Sequence, residues 1–315
     1  MATGSLHSAA LIAVDWGTTR LRARLVDATG AILAEAASDD GIGAITGGHE
    51  QVFARLTADW PTVPAVMSGM VGSRQGWREA AYVPCPATTA ELAAETVPFV
   101  TADGRRIAIV PGVMLRDPLR DGDVMRGEET QIAGVIEREP AFAGTVILPG
   151  THSKWARVEG GAITGFQTYM TGELFSLLSR QSFLRHSVAE GAGELADAPG
   201  FRRGVERTAR DSLPFLAALF SVRVRYLIDN ADKGDNLAYL SGLIIGGEIA
   251  AARAGGHLRR DSAICIVGGR SLARAYVKAL AHLGFTAEPR DGDELALAGA
   301  LHFARDIGFL PGTSP

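Results

Sequence analysis

A strand that ends in a glycine-threonine turn and returns as a second strand is written twice in this chain. That duplication constrains the fold more than any other feature. The first copy runs Ile12-Ala13-Val14-Asp15-Trp16-Gly17-Thr18-Thr19-Arg20-Leu21-Arg22-Ala23-Arg24-Leu25-Val26, and the second Val146-Ile147-Leu148-Pro149-Gly150-Thr151-His152-Ser153-Lys154-Trp155-Ala156-Arg157-Val158. An offset of 133 positions (150 − 17) lays Gly17 on Gly150, Thr18 on Thr151, Ala23 on Ala156 and Arg24 on Arg157. After a turn two residues shorter, Gly30-Ala31-Ile32 falls on Gly161-Ala162-Ile163. One β-hairpin in each half predicts a two-part α/β molecule. Two such turns facing one another can hold a polyphosphate between two lobes.

The rest of the chain supports alternating layers. Strands are predicted over 11–15, 21–27, 31–37, 65–68, 106–110 and 263–267 from apolar or alternating runs that end in turn residues. Helices are predicted over 50–59, from Glu128 to before Pro140, from an N-cap at Thr171 to about Ser182, over 235–253, from Gly269 to Leu283, and over 293–305. The stretch 187–225 reads as helical with breaks at Pro199-Gly200 and Pro214, and 78–105 as irregular or mixed. Gly242, Gly246 and Gly247 inside the long helix each cost about 1 kcal/mol relative to alanine, so a neighbour or a ligand must come close there. A break near 111–127 divides the chain.

Bulk properties narrow the function. The 315 residues, 47% hydrophobic and 21% charged, suit a globular protein of one large domain or two. A net charge of −4 argues against a general nucleic-acid surface. No apolar run reaches the roughly 20 residues of a bilayer span, and Met1–Ala10 lacks the pattern of a secretory leader. Cys85 and Cys265 are expected to be buried thiols in a reducing compartment, which fits a cytoplasmic enzyme. The expected partner is a small molecule, with no nucleic acid and no membrane; a homodimer is left open.

The chemistry is concentrated at the hairpins. In Asp15-Trp16-Gly17-Thr18-Thr19-Arg20 a strand delivers a carboxylate to its end. The glycine turn then aims backbone N–H groups, with threonine hydroxyls beside them, at one point where a phosphate fits. The carboxylate suits Mg²⁺, which prefers oxygen ligands. A plain hairpin turn explains one such copy equally well, and the second copy weakens that explanation. His152 is read as a polar loop residue. No Walker motif, G-x-G-x-x-G fingerprint or zinc spacing is present.

These hairpins, with Gly268-Gly269 before a helix, resemble the sugar kinase/Hsp70/actin superfamily. Four segments carry a nearer resemblance, to the 2-dehydro-3-deoxygalactonokinase (2-keto-3-deoxygalactonate kinase) family. They are Val14 to Arg22, Ser68-Gly69-Met70-Val71-Gly72-Ser73, Met125-Arg126-Gly127-Glu128-Glu129-Thr130-Gln131, and Leu148 to Trp155, within a likeness spanning about residues 9–307. The resemblance implies two actin-like (ribonuclease H-like) α/β lobes with a nucleotide cleft between them. The N-terminal lobe would cover 9–117 and the C-terminal lobe 118–307, with the final helix free to return to the first lobe.

It further implies ATP-dependent phosphorylation of the terminal hydroxyl of 2-dehydro-3-deoxy-D-galactonate, with Mg²⁺ at Asp15. Gly17, Thr18, Thr19, Gly150, Thr151, His152 and Ser153 would meet the phosphates, and Gly268 and Gly269 the adenosine. Related carbohydrate kinases place a catalytic aspartate a little over twenty residues before the second phosphate hairpin. Here Glu128 stands in that place, with Glu129 as its rival. Both could instead simply favour a helix N-terminus. Substrate contacts are expected from Ser68, Gly69 and Met70, from a carboxylate-binding cation among Arg74, Arg20 and Lys154, and from Trp77 and Glu173. The alternatives are a kinase for another sugar or sugar acid, or an actin/Hsp70-like ATPase without a metabolic substrate. The short tail Gly308–Pro315 argues against the latter by leaving no room for a partner domain.

Overall fold

A computed structural model describes residues 6–116, 122–191, 193–211 and 214–312. The chain divides into two compact units, one of Met1–Phe142, Glu159–Gly165 and Asp293–Pro315 and the other of Ala143–Val158 and Phe166–Gly292. The expected division at 117/118 lies outside the described residues.

The first unit is built on a hairpin meander, β1 (Ala9–Trp16), β2 (Leu21–Asp27) and β3 (Ile32–Ser38), followed by β4 (Ala65–Gly69). Their sheet runs β3-β2-β1-β4 and continues with Arg106–Ile109 and Val97–Val100. β1 pairs antiparallel with β2 and parallel with β4, so the ends of β1 and β4 emerge side by side at Trp16 and Gly69. Alternation explains the hairpin: Leu21, Ala23 and Leu25 are buried, while Arg22 and Arg24 face the other way. The core beneath gathers Ile12, Val14, Trp16, Phe53 and Met67.

The second unit repeats the plan. Gly144–Leu148 pairs antiparallel with Ser153–Glu159 and parallel with Ala263–Gly268, which pairs in turn with Glu288–Asp291; Ala162–Tyr169 lies beyond Ser153–Glu159. Strand order and sense match β3-β2-β1-β4 and its parallel neighbour Arg106–Ile109. The duplicated hairpin is therefore the nucleus of a duplicated sheet.

Helices depart from the sequence expectation in three places. Thr171 does not cap its helix; Met170 precedes Thr171–Arg180 with no side-chain cap, and the Thr171 hydroxyl turns to Glu248 instead. Pro199 opens the helix Pro199–Ala209 rather than breaking one, since a ring at the first turn removes an N–H that has no helical partner anyway. The stretch 78–105 is ordered: Tyr82–Pro84, Ala87–Thr88, the capping-box helix Thr89–Ala94, and Val97–Val100.

The helix Lys233–Ala254 is long and apolar enough by composition to cross a bilayer, contrary to the sequence reading, and 67% of its most apolar window is buried. Its interior glycines answer to a neighbour and not to a ligand. A β-carbon on Gly242 would overlap the carbonyl of Phe201, and one on Gly204 that of Tyr239, so the helices 199–209 and 233–254 touch backbone to backbone. The same device joins Glu128–Arg138 to the last helix, Gly292–Asp306. Side chains at Gly134 or Gly299 would overlap the carbonyls of Leu295 and Thr130, and Glu137 accepts from His302 (2.6 Å) and Arg305 (2.8 Å). That contact holds both helix N-termini, and hence Glu128 and Asp293, in the first unit.

Candidate active site

In the first unit two glycines bring the distinctive segments together. Gly69, at the end of β4, has φ 93°, and a β-carbon there would lie 2.8 Å from the Trp16 carbonyl and 3.4 Å from Asp15 Oδ1. Gly127, just before the Glu128 helix, has φ 104°, and its β-carbon would meet the Gly69 backbone at 3.3 Å. Both positions demand the left-handed region and closely approached backbone, which only glycine supplies without strain. Asp15, Gly69 and the Gly127-Glu128 turn are thus neighbours.

A small pocket is lined by Asp15, Ser68, Arg22, Arg24 and Asp293. Asp15 is half-buried there, and burial raises its carboxyl above the ordinary carboxylate value. Arg22, 3.5 Å away, opposes the rise, while the charges of Asp293 and Glu128 add to it. Ser68 donates to the Val14 carbonyl (3.3 Å), and Arg22 divides itself between Asp15 and Asp293 (3.2 Å).

The two glutamates separate. Glu129 is fully buried; it accepts from the Gly127 N–H at 2.6 Å and from Thr130 at 3.2 Å. Burial, with the Glu128 charge added, pushes its carboxyl up to about 8. Glu128 is half-buried, accepts from the Arg126 N–H (3.1 Å), and carries the charge that acts on Asp15. Glu128 is thus the carboxylate coupled to Asp15, and Glu129 folds back onto the helix start.

A pH prediction follows for Glu129. Its folded value, about 8, lies above the ordinary 4.5, so the folded chain holds a proton that the unfolded chain releases. The stability it contributes is complete below about pH 4.5 and is lost as pH rises through about 8. Thermal melts of Glu129→Gln should show a smaller decline across that window than the unaltered chain. Parallel declines would refute the buried proton.

The Gly17-Thr18-Thr19-Arg20 turn is closed by the Gly17 N–H donating to the Arg20 carbonyl (2.9 Å) and braced by N–H donors of Ile42 and Gly43. Arg20 is exposed beside Asp39 (3.5 Å), and Arg74 is exposed beside Glu79 (3.2 Å). Met70 opens a short 3-10 turn and packs on the core. Trp77 belongs to an aromatic cluster with Phe99 (5.0 Å), Phe53 (6.1 Å) and Trp16 (6.4 Å), so packing accounts for it.

In the second unit, His152 Nε2 lies 2.6 Å from Glu173 Oε2, and the Glu173 N–H donates to the Thr151 carbonyl (3.0 Å), which fixes the turn on the start of the 171–180 helix. Gly268 lies next to Pro149, at 3.7 Å from a β-carbon built on it, and Gly269, which follows, has open space where a side chain would be. Thr151 and His152 are thus joined to Glu173, and Gly268 lies beside the strand end that leads into their turn. Ser153 and Lys154 point elsewhere. Both are buried: Ser153 donates to Glu248 (2.8 Å), and Lys154 Nζ to the His152 carbonyl (3.3 Å).

Glu248 anchors this region from behind. Its buried carboxylate accepts from Ser153, from Trp155 Nε1 (2.5 Å), from Tyr276 (2.7 Å) and from Thr171. Burial raises its carboxyl, and those four bonds hold it down.

The family model described as 2-keto-3-deoxy-galactonokinase matches residues 15–303. The chain belongs to the 2-keto-3-deoxy-galactonokinase family. A Rhizobium meliloti (strain 1021) protein named "Probable 2-dehydro-3-deoxygalactonokinase DgoK1" is 40% identical over 94% of this chain and 96% of its own length. The 2-dehydro-3-deoxygalactonokinase of Escherichia coli (strain K12) is 35% identical over 95% and 99%. A crystal structure from Sinorhizobium meliloti, titled for the same enzyme, superposes with a TM-score of 0.87 at 40% identity, covering 94% of this chain and 99% of that one. As a member of this kinase family the chain is a carbohydrate kinase of α/β, actin-like fold, with ATP as the implied phosphoryl donor.

Within this family member, three site neighbours escaped the sequence reading. Arg22 could have been found: the hairpin register pairs Asp15 with Arg22 directly, and cross-strand partners share a face. Glu248 could have been found as the one charge in the apolar run Leu240–Ala252, because a buried charge needs partners. Asp293 gave no local signal; it reaches Arg22 from 271 residues away.

Proposed function

We propose that the chain transfers the γ-phosphoryl group of ATP to the terminal (6-) hydroxyl of 2-dehydro-3-deoxy-D-galactonate, a step of galactonate catabolism in the cytoplasm. The observation that carries this reading is the meeting of Asp15 with Glu128 at Gly69 and Gly127, in a chain matched by the family over 15–303.

Glu128 accepts the proton of the acceptor hydroxyl as its oxygen attacks the γ-phosphorus. The bond from that phosphorus to the β-γ bridging oxygen breaks, and ADP leaves. Thr18 and Thr19 offer N–H and hydroxyl donors to phosphate oxygens, on a turn that the Gly17 N–H closes. Gly150, Thr151 and His152 do so in the second unit, and Gly268 and Gly269 supply side-chain-free backbone for the nucleotide. Ser68 and Gly69, with the exposed cation Arg74 or Arg20, face the sugar acid.

The residues fit Mg²⁺ in the manner of phosphoryl-transfer enzymes. Asp15 presents a half-buried carboxylate near the end of β1, beside the turn proposed for the phosphates, and a carboxylate plus substrate phosphates is the usual magnesium arrangement. Asp15 would hold the ion, whose positive charge offsets that of the phosphates. Asp15→Asn is expected to raise the Mg²⁺ concentration for half-maximal activity by about tenfold or more. An unchanged magnesium titration would remove Asp15 from the metal site.

The deciding experiment is a coupled ADP-release assay over a panel containing 2-dehydro-3-deoxy-D-galactonate, its gluconate-derived epimer and neutral sugars. Stimulation greatest with the galactonate-derived acid supports the reading. A neutral sugar as best substrate, or ADP release without any acceptor, overturns it.

A further inference from the structure

The helix Phe215–Leu227 is apolar on both sides. One side is used: Ala218 and Val222 are buried, and Phe215 and Leu219 pack on the same cluster. The other side faces solvent, with Leu216 81% exposed, Phe220 66%, Val224 37%, Leu227 58% and Ile228 72%. Phe183, 68% exposed, extends it, its ring 5.0 Å from the Arg223 guanidinium. A helix that is hydrophobic all round belongs in an interior or against a partner, and a contiguous apolar patch marks an interaction site.

Both arginines of the helix are engaged within the unit: Arg223 donates to Ser187 (3.1 Å), and Arg225 pairs with Asp235 (2.9 Å) and stacks on Tyr239. The side chains of the stripe are themselves apolar, with the Arg223 guanidinium at its edge against Phe183.

We propose that this face is the interface of a homodimer. Four residues of the stripe are symmetric about position 222: Leu216 and Ile228 lie six residues to either side, and Phe220 and Val224 two, with Leu227 and Phe183 at its margin. A two-fold axis there runs the helices antiparallel, with Leu216 against Ile228 of the second copy and Phe220 against its Val224. That is the self-complementary pattern an isologous contact requires, and i, i+4 ridges can interdigitate in it. The six exposed side chains offer roughly 600 Å² per chain, so a pair covers about 1,200 Å², the lower limit of a standard specific interface. The proposal is independent of the substrate.

Light scattering coupled to size-exclusion chromatography of the full chain at micromolar concentration tests it. The expected mass is twice 33.1 kDa. Phe220→Asp and Leu216→Arg should each give the single-chain mass with unchanged far-UV circular dichroism and unchanged turnover per chain. Leu216 is so exposed that its variant keeps the test valid if Phe220→Asp fails to fold. A wild-type monomer, a dimer that survives in Leu216→Arg, or a monomer that co-sediments with phosphatidylserine vesicles would overturn the proposal.

Discussion

Glu128→Gln is expected to lower kcat by about 10²–10⁴-fold, the span that a positioned general base contributes. KM for ATP should stay within about threefold, because the amide keeps the shape of the side chain and the lost interaction matters only as the proton moves. Glu129→Gln is the matched control. Glu129 is buried, holds its proton near neutrality and spends its oxygens on the Gly127 N–H and the Thr130 hydroxyl, so an amide replaces it with little loss of turnover. Steady-state kinetics of the two variants check the assignment. Near-normal turnover in Glu128→Gln, or collapse in Glu129→Gln alone, would reverse the roles.

Glu248→Ala is expected to cost about 3–5 kcal/mol of stability, a fall in Tm of roughly 10 °C. Four donors converge on that carboxylate. Ser153 and Tyr276 lie close enough, at 3.3 Å, to keep a bond between themselves. The Thr171 hydroxyl can likewise turn to Tyr276, so the Trp155 indole N–H is the donor left behind, and a buried donor without a partner bears its full desolvation cost. Ser153 follows directly on the Gly150-Thr151-His152 turn, so the variant should also raise KM for ATP more than KM for the acceptor. Glu248→Gln, whose amide oxygen still accepts from Trp155, should recover part of both losses. A thermal melt of Glu248→Ala within 2 °C of the unaltered chain would show that the network carries little.

The two predictions differ in how far the sequence foresaw their residues. Glu128 was reachable by counting back from the second hairpin, and the pattern left Glu129 equally eligible. Adjacent residues at a helix start point in different directions. Which one is buried depends on what packs over the first turn, here the last helix and the Gly69 backbone. Trp77, Ser153 and Lys154 show the converse. Their residue types suit a binding site, yet Ser153 bonds to the buried Glu248, Lys154 is buried with its Nζ on the His152 carbonyl, and Trp77 packs in an aromatic cluster, partners that no local motif records. The capping box Thr88-x-x-Glu91 was legible and marks a helix inside a stretch read as irregular.

By itself the sequence determined the duplicated hairpin, the strands on either side of each Gly-Thr turn, and the place of Asp15 at the end of one of them. These depend on periodicity, turn chemistry and spacing within a few residues, which the chain carries locally. Only the tertiary structure decided that Glu128 and not Glu129 couples to Asp15, that Asp293 shares Arg22 with it, and that Glu248 ties the second turn to three other elements. Those facts arise where residues far apart in the chain share one low-dielectric space. Burial, charge and hydrogen bonding are set there by everything that packs around them.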